Sequence, residues 1–143
     1  MSQHTASESN DAAATLDLDN PEYYTDWRLS QLEFNQRVLA QTVDTFNPLL
    51  ERLKFLCIFS TNMDEFFEVR VASLKEEAVH TTAPRVSELI SPRELLHTIY
   101  QRSHELIDEQ YRILNDIIFP ELAREGIRVI SRSQWSAKQS AWV

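Results

Sequence analysis

The chain has 143 residues, 43% of them hydrophobic, which is the size and apolar content of one folded domain. Its single glycine is far below the average share of about 7%, which excludes glycine-rich phosphate loops and disfavours sheets with tight turns, so we predict an all-α fold. The net charge is −8, but residues 1–26 hold six acidic and no basic side chains, leaving −2 for the remainder. This nearly neutral body lacks the basic stripe of a nucleic-acid binder and the basic helix of a membrane-surface binder.

Sequence features also bear on the cellular compartment. The single Cys57 cannot form an internal disulfide, which fits a reducing compartment. The N-terminus has no basic region followed by an apolar run, and no stretch approaches the roughly 18 apolar residues of a membrane span. We therefore expect a cytoplasmic protein without a transmembrane segment.

The first predicted elements are an acidic tail and a helix. Residues 1–22 lack the apolar side chains needed to offset ordering entropy and are predicted to be disordered. The Ser30-Gln31-Leu32-Glu33 pattern is a capping box, so helix 1 is predicted to begin at Ser30 and to end near Thr45. Helical spacing places one set of residues on a common face: Leu32, Asn35, Val38, Leu39 and Thr42.

The second predicted helical stretch covers residues 47–80, with Asn47 as cap and Pro48 at the first helical position. Apolar residues surround most of its first half, which predicts neighbours on more than one side. The polar run Ser60 to Glu65 interrupts this cover. Because Ser, Thr and Asn compete for backbone hydrogen bonds, we expect a break or kink near Ser60–Asn62.

The polar run has two readings that the residues leave open. If a helix begins there, its free N–H groups favour an anion such as phosphate. The Asn62 amide also offers one donor and one acceptor, which match the paired edge of adenine. The simpler interpretation is that these residues only cap a helix.

The C-terminal half is predicted to contain one long helix. Ser91-Pro92-Arg93-Glu94 is a second capping box, and apolar residues then recur at three and four positions. Pro120 is expected to kink this helix, and Gly126 is the expected left-handed stop. A short β-like run, Ile127–Ile130, follows.

A further helix is predicted to open at Ser136. The chain stops barely two turns into it, so we expect the front piece of a larger protein.

Other candidate sites have simple alternatives. His97, His104 and Asp108 share a helical face and could bind a metal, but a solvated face is the favoured interpretation. Nothing beyond this spacing favours a metal site, and the sequence has no nucleophile set, so we expect no catalytic residue and no metal site. Three basic residues are candidate phosphate contacts, or simply face water: Arg52, Lys54 and Arg70.

Several segments resemble the N-terminal domain of bacterial polyphosphate kinase, the larger family, which synthesises long chains. The resemblance covers about residues 23–143. It rests on LSQLEFNQRVL at 29–39, NPLLERLKFL at 47–56, IFSTNMDEFFEVRV at 58–71 and PELAREGI at 120–127. It implies a helical bundle of three to four helices with a long last helix over residues 23–132, then the truncated start of a middle domain at 133–143.

The resemblance also implies a function. The full enzyme would reversibly transfer the terminal phosphate of ATP to polyphosphate through a phosphohistidine in C-terminal domains, so this chain alone would be inactive. Asn62 would contact the adenine end of ATP. Magnesium would be needed, bound by residues outside this chain. The full enzyme would be a homo-oligomer that also binds ADP and polyphosphate. Its peripheral association with a membrane stays open.

Three positions depart from the family pattern. Gln31 replaces a tryptophan, Arg28 an acidic residue and Thr61 the first of two asparagines. A non-enzymatic helical module that binds a protein partner through the apolar faces of helix 1 and the long last helix is the alternative.

Overall fold

The structure is a computed structural model that describes residues 25–80 and 90–142, so the predicted tail at 1–22 lies outside the described residues. It contains six α-helices: α1 (Trp27–Ala40), α2 (Leu49–Glu65), α3 (Ala72–His80), α4 (Pro92–Ile113), α5 (Phe119–Arg124) and α6 (Ala137–Trp142). A π-helical turn, Phe66–Val71, joins α2 to α3, and a second, Leu114–Ile118, joins α4 to α5. The described part of the chain has no strand, which confirms the all-α prediction and makes the β-like reading of Ile127–Ile130 wrong.

Helix α1 begins three residues before the predicted start. Asp26 is its N-cap, with Oδ1 accepting the Arg28 backbone N–H at 2.8 Å, so Ser30 lies inside the first turn. Because the Asp26 side chain accepts from a free backbone N–H of the first turn, the helix starts before Ser30. The helix also ends earlier than predicted, at Ala40, and a hydrogen-bonded turn follows.

Helix α2 begins at Leu49, one residue later than predicted. Pro48 takes the N-cap position, and the Asn47 side chain instead donates from Nδ2 to the Gln41 backbone oxygen at 3.2 Å. The expected break near Ser60–Asn62 is wrong, because α2 continues through these residues to Glu65. Helical hydrogen bonding continues there since both flanks of the polar run are held by buried apolar residues.

The irregularities lie at the two π turns. Buried residues elsewhere in these helices are three, four or, from Leu106 to Ile113, seven positions apart, whereas Phe66 and Val71 are five apart, as are Ile113 and Ile118. A π turn holds one extra residue, so both members of each pair still face the core. The second π turn ends just before Pro120, which has no N–H for the preceding turn. Residues 92–124 are thus helical throughout, with a π turn that ends two residues before Pro120.

Two end signals are confirmed. Ser91 and Glu94 form a reciprocal capping box at the start of α4. Gly126 has a φ of 80° and ends α5, with the Ile127 N–H donating to Leu122 O at 2.8 Å and the Gly126 N–H to Ala123 O at 3.1 Å. Those two bonds define a Schellman motif.

The core lies where α1, the α2–α3 segment and the α4–α5 segment meet. Helix α1 packs against α2 and α4, α3 packs against α4, and the second π turn packs against α2. This matches the predicted bundle of three to four helices with a long last helix. The core side chains are Leu32, Leu39, Leu56, Phe59, Met63, Phe66, Val71, Leu74, Leu95, Ile99, Leu106, Ile113, Ile118 and Leu122.

Candidate functional site

Asn62 lies in the last turn of α2, where it contacts Asn35 of α1. Since the backbone N–H groups of Ser60, Thr61 and Asn62 belong to a continuous helix, they are not free for an anion, and the phosphate reading of the polar run is wrong. The capping reading is also wrong. Ser60 and Thr61 are exposed mid-helix residues, whereas Asn62 is half-buried.

The Asn62 side chain is held by a second amide. Its Nδ2 donates to Oδ1 of Asn35 on α1 at 2.9 Å. Asn35 has no solvent-exposed surface, and its own Nδ2 has no hydrogen-bond partner. This contact joins residues 27 positions apart and fixes the Asn62 amide at the boundary between core and solvent.

Two apolar side chains close in sequence to the amide pair are exposed to solvent. Ile58, one turn before Asn62 on the same helix face, is 39% exposed, although the apolar cover of α2 predicted burial. On α1, Phe34 precedes Asn35 and is half-exposed. A polar amide and exposed apolar side chains are the two components of sites that bind a flat heterocycle with a polar edge.

Arg70 reaches the same side of the bundle. Its guanidinium lies 5.1 Å from the centroid of the Trp27 ring, and that of Arg28 lies 5.6 Å from the same ring. Because the first π turn adds one residue, Arg70 falls near the helix face of Asn62, although it lies eight positions later. Both Asn62 and Arg70 therefore contact α1.

The other candidate phosphate contacts have structural partners. Arg52 is buried and forms an ion pair with Glu121, with 2.6 Å between Nη1 and Oε2. Lys54 is exposed and pairs with Glu51 at 3.4 Å. Of the three predicted cations, only Arg70 lies on the surface that carries Asn62.

His97, His104 and Asp108 are exposed on α4. His104 Nδ1 lies 2.7 Å from the Tyr100 backbone oxygen, within its own helix. Within residues 25–80 and 90–142 there is no group of three His, Cys, Asp or Glu side chains placed to hold a metal ion. Cys57 is exposed and unpaired in the described structure.

Shifted pKa values arise at helix ends and ion pairs. Burial alone would raise the pKa of Asp26, but hydrogen bonds from the Arg28 side chain and backbone outweigh it and lower the value. Hydrogen bonds from Ser91 lower the pKa of Glu94, and one from Arg112 lowers that of Glu109. Each of these pKa shifts arises from hydrogen bonds at a helix end or within an ion pair of the bundle.

The described helices include none long and apolar enough to cross a membrane.

The protein-binding alternative depended on the apolar faces of α1 and α4. Leu32 and Ile99 on these faces are fully buried in the core and are unavailable to a partner.

Fold and site together define an all-α domain in which a buried asparagine of α1 holds the half-buried amide of Asn62 on α2. The sequence model of the polyphosphate kinase N-terminal domain matches residues 24–130. The chain belongs to this family.

Curated relatives agree with this assignment. The chain is 48% identical over 126 residues to polyphosphate kinase of Pseudomonas syringae pv. tomato, which covers 88% of the chain and 17% of the relative. It is 46% identical to polyphosphate kinase of Pseudomonas aeruginosa, with 88% of the chain and 18% of the relative covered. With polyphosphate kinase of Halalkalibacterium halodurans it shares 42% identity over 129 residues, 90% of the chain and 18% of the relative. The chain thus spans less than a fifth of their length. No solved structure matches it significantly.

The sequence analysis singled out Asn62 but did not identify Asn35 as its hydrogen-bond partner. The spacing placed Asn35 on the inner face of helix 1, yet gave no reason for an amide there. A polar residue on an otherwise apolar face is the signal that could have prompted the search for a buried partner.

Proposed function

We propose that this chain is the nucleotide-side domain of an ATP:polyphosphate phosphotransferase, with Asn62 contacting the adenine base of ATP. The observation that carries the proposal is the Asn62 amide, anchored by Asn35 and half-open to solvent. With Nδ2 donating to Asn35, the Asn62 amide oxygen can accept a hydrogen bond from the exocyclic amine of adenine. Family membership and the relatives' shared name support the substrate.

The phosphate-transfer step of the reaction is assigned to domains outside this chain. The full enzyme would transfer the terminal phosphate of ATP reversibly to polyphosphate through a phosphohistidine, with magnesium bound, in domains beyond this chain. The contribution that we assign to this chain is to bind and orient the base through the Asn62 amide, which Asn35 holds. Residues 23–132 would form this domain and residues 133–143 would begin the next, in a cytoplasmic homo-oligomer.

The test is Asn62→Ala in the full-length enzyme. Loss of the amide is expected to raise the KM for ATP about fivefold, the equivalent of one lost hydrogen bond, with a smaller change in kcat. Thr61→Ala is the matched control, because Thr61 is exposed at the preceding position of the same helix. An unchanged KM together with an unchanged kcat in Asn62→Ala would refute the assignment.

A further inference from the structure

Asn35 is an unusual core residue. It lies on the face of α1 that also carries Leu32 and Leu39, and none of its surface is exposed. Only half of its amide is used, since Oδ1 accepts a hydrogen bond and Nδ2 is buried without a partner. An unpaired buried N–H opposes folding, and an apolar side chain of similar size would avoid that cost. The stability of the bundle alone therefore does not account for an asparagine here.

The bond to Asn35 determines what Asn62 presents to solvent. Because Nδ2 of Asn62 points to the core, the planar amide directs Oδ1 away from Asn35. Asn62 Oδ1 accepts no hydrogen bond from a described residue and is not among the buried unpaired atoms. Rotating only the Asn62 amide by half a turn would bring the two amide oxygens together, which is repulsive. The outward group is thus an acceptor.

We propose that Asn35 is a positioning residue: it holds the Asn62 amide with its oxygen outward and so favours a base that carries an exocyclic amine over one that carries a carbonyl oxygen. This inference rests on the proposed contact between Asn62 and the base. An outward oxygen accepts from the 6-amino group of adenine and repels the 6-oxo group of hypoxanthine or guanine. Without Asn35, the Asn62 amide rotates freely and can offer Nδ2 to a 6-oxo group instead.

The experiment compares ATP with ITP, which differs at position 6 of the base, in the full-length enzyme. Asn35→Leu removes the acceptor and fills the space with an apolar side chain. The ratio of kcat/KM for ATP to that for ITP is expected to fall about five- to tenfold, with the change in KM and not in kcat. Asn35→Asp keeps an oxygen for Asn62 Nδ2 and is expected to retain most of the ratio.

Ser103→Ala is the control for a buried polar deletion. Ser103 lies on α4, is fully buried, and its Oγ has no hydrogen-bond partner, so its removal changes the core without touching Asn62. We expect Ser103→Ala to leave the ATP to ITP ratio unchanged. If Asn35→Leu does not fold, Asn35→Ala is measured in its place and interpreted in the same way.

Other results overturn the inference. An unchanged ratio in Asn35→Leu, or a fall in kcat and melting temperature without a change in ratio, would make Asn35 a purely structural residue. A wild-type enzyme that prefers ITP would mean that both amides are rotated, with Nδ2 of Asn62 outward. If Asn62→Ala leaves both the KM for ATP and kcat unchanged, the base contact itself is wrong and the inference falls with it. A normal Asn62→Ala effect with an unchanged Asn35→Leu ratio removes only the inference.

Discussion

Arg52 on α2 and Glu121 on α5 form an ion pair across 69 positions of sequence, with Nη1 donating to Oε2 at 2.6 Å. The same guanidinium donates from Nε to the Thr42 backbone oxygen at 2.7 Å. Arg52 is only 4% exposed, so its charge is separated from water and satisfied by these partners. One side chain thus connects the loop after α1, the start of α2 and the end of the α4–α5 segment.

The first prediction concerns this ion pair. Arg52→Met is expected to lower the free energy of unfolding by about 2–3 kcal/mol, because it leaves the Thr42 oxygen and the Glu121 carboxylate unpaired. This loss of unfolding free energy is smaller than the largest losses for fully buried ion pairs, because the Glu121 side chain is 27% exposed. Arg52→Lys should recover less than half, because an ammonium cannot make the forked contact. Urea denaturation measures both.

Lys54→Met is the control for the Arg52 variants. Lys54 pairs with Glu51 on the exposed side of the same helix, where an ion pair contributes about 0.5 kcal/mol or less. Equal losses in Arg52→Met and Lys54→Met would contradict a structural role for the buried pair.

The second prediction concerns the capping box at Ser91. Hydrogen bonds from the Ser91 backbone N–H and hydroxyl lower the pKa of Glu94 below its ordinary value of 4.5. A lowered folded-state pKa means that the stabilisation is complete above 4.5 and is lost as pH falls through the folded value. Wild type should therefore be more stable than Glu94→Gln at pH 7, and the difference should shrink well below pH 4.5.

Urea midpoints of the two proteins across this pH range measure the effect. Glu105→Gln is a useful comparison, because Glu105 pairs with Arg102 on the exposed side of α4 and does not cap the helix. A difference between wild type and Glu94→Gln that is constant with pH would show that the carboxylate charge is not involved.

The third prediction concerns Gly126. Its φ of 80° lies in the left-handed region, and a Cβ at this position would meet nothing within 4 Å. Gly126→Ala should therefore cost about 1 kcal/mol from backbone conformation alone. Gly126→Asn should cost less, since asparagine tolerates the left-handed region better. Equal stability of wild type and Gly126→Ala, by thermal or urea denaturation, would contradict this account.

Local signals in the sequence predicted much of the fold. The capping box at Ser91 and the glycine stop at Gly126 each depend on residues within one helical turn, and both are where the pattern placed them. The inner face of helix 1 was predicted because three- and four-residue spacing reflects burial directly. These features need no knowledge of the rest of the chain.

Tertiary contacts explain the errors. The polar run at Ser60 was expected to break α2, but burial of Phe59 and Met63 against the rest of the bundle keeps the helix continuous. The partnership of Asn35 with Asn62 depends on how α1 packs on α2, which neither spacing nor propensity reports. Arg52 was predicted as a candidate phosphate contact because its partner, Glu121, lies 69 positions away, and local sequence patterns do not show this pairing.

The two π turns define where this helical chain tolerates a change in length. Removing Glu68, an exposed residue of the first π turn, would shorten the step from Phe66 to Val71 from five positions to four. Four positions is one α-helical turn, so both side chains would still face the core. Deleting a residue elsewhere in α2 would instead rotate every later side chain by about 100°. Single-residue insertions and deletions among relatives are therefore expected to concentrate at residues 66–71 and 114–118.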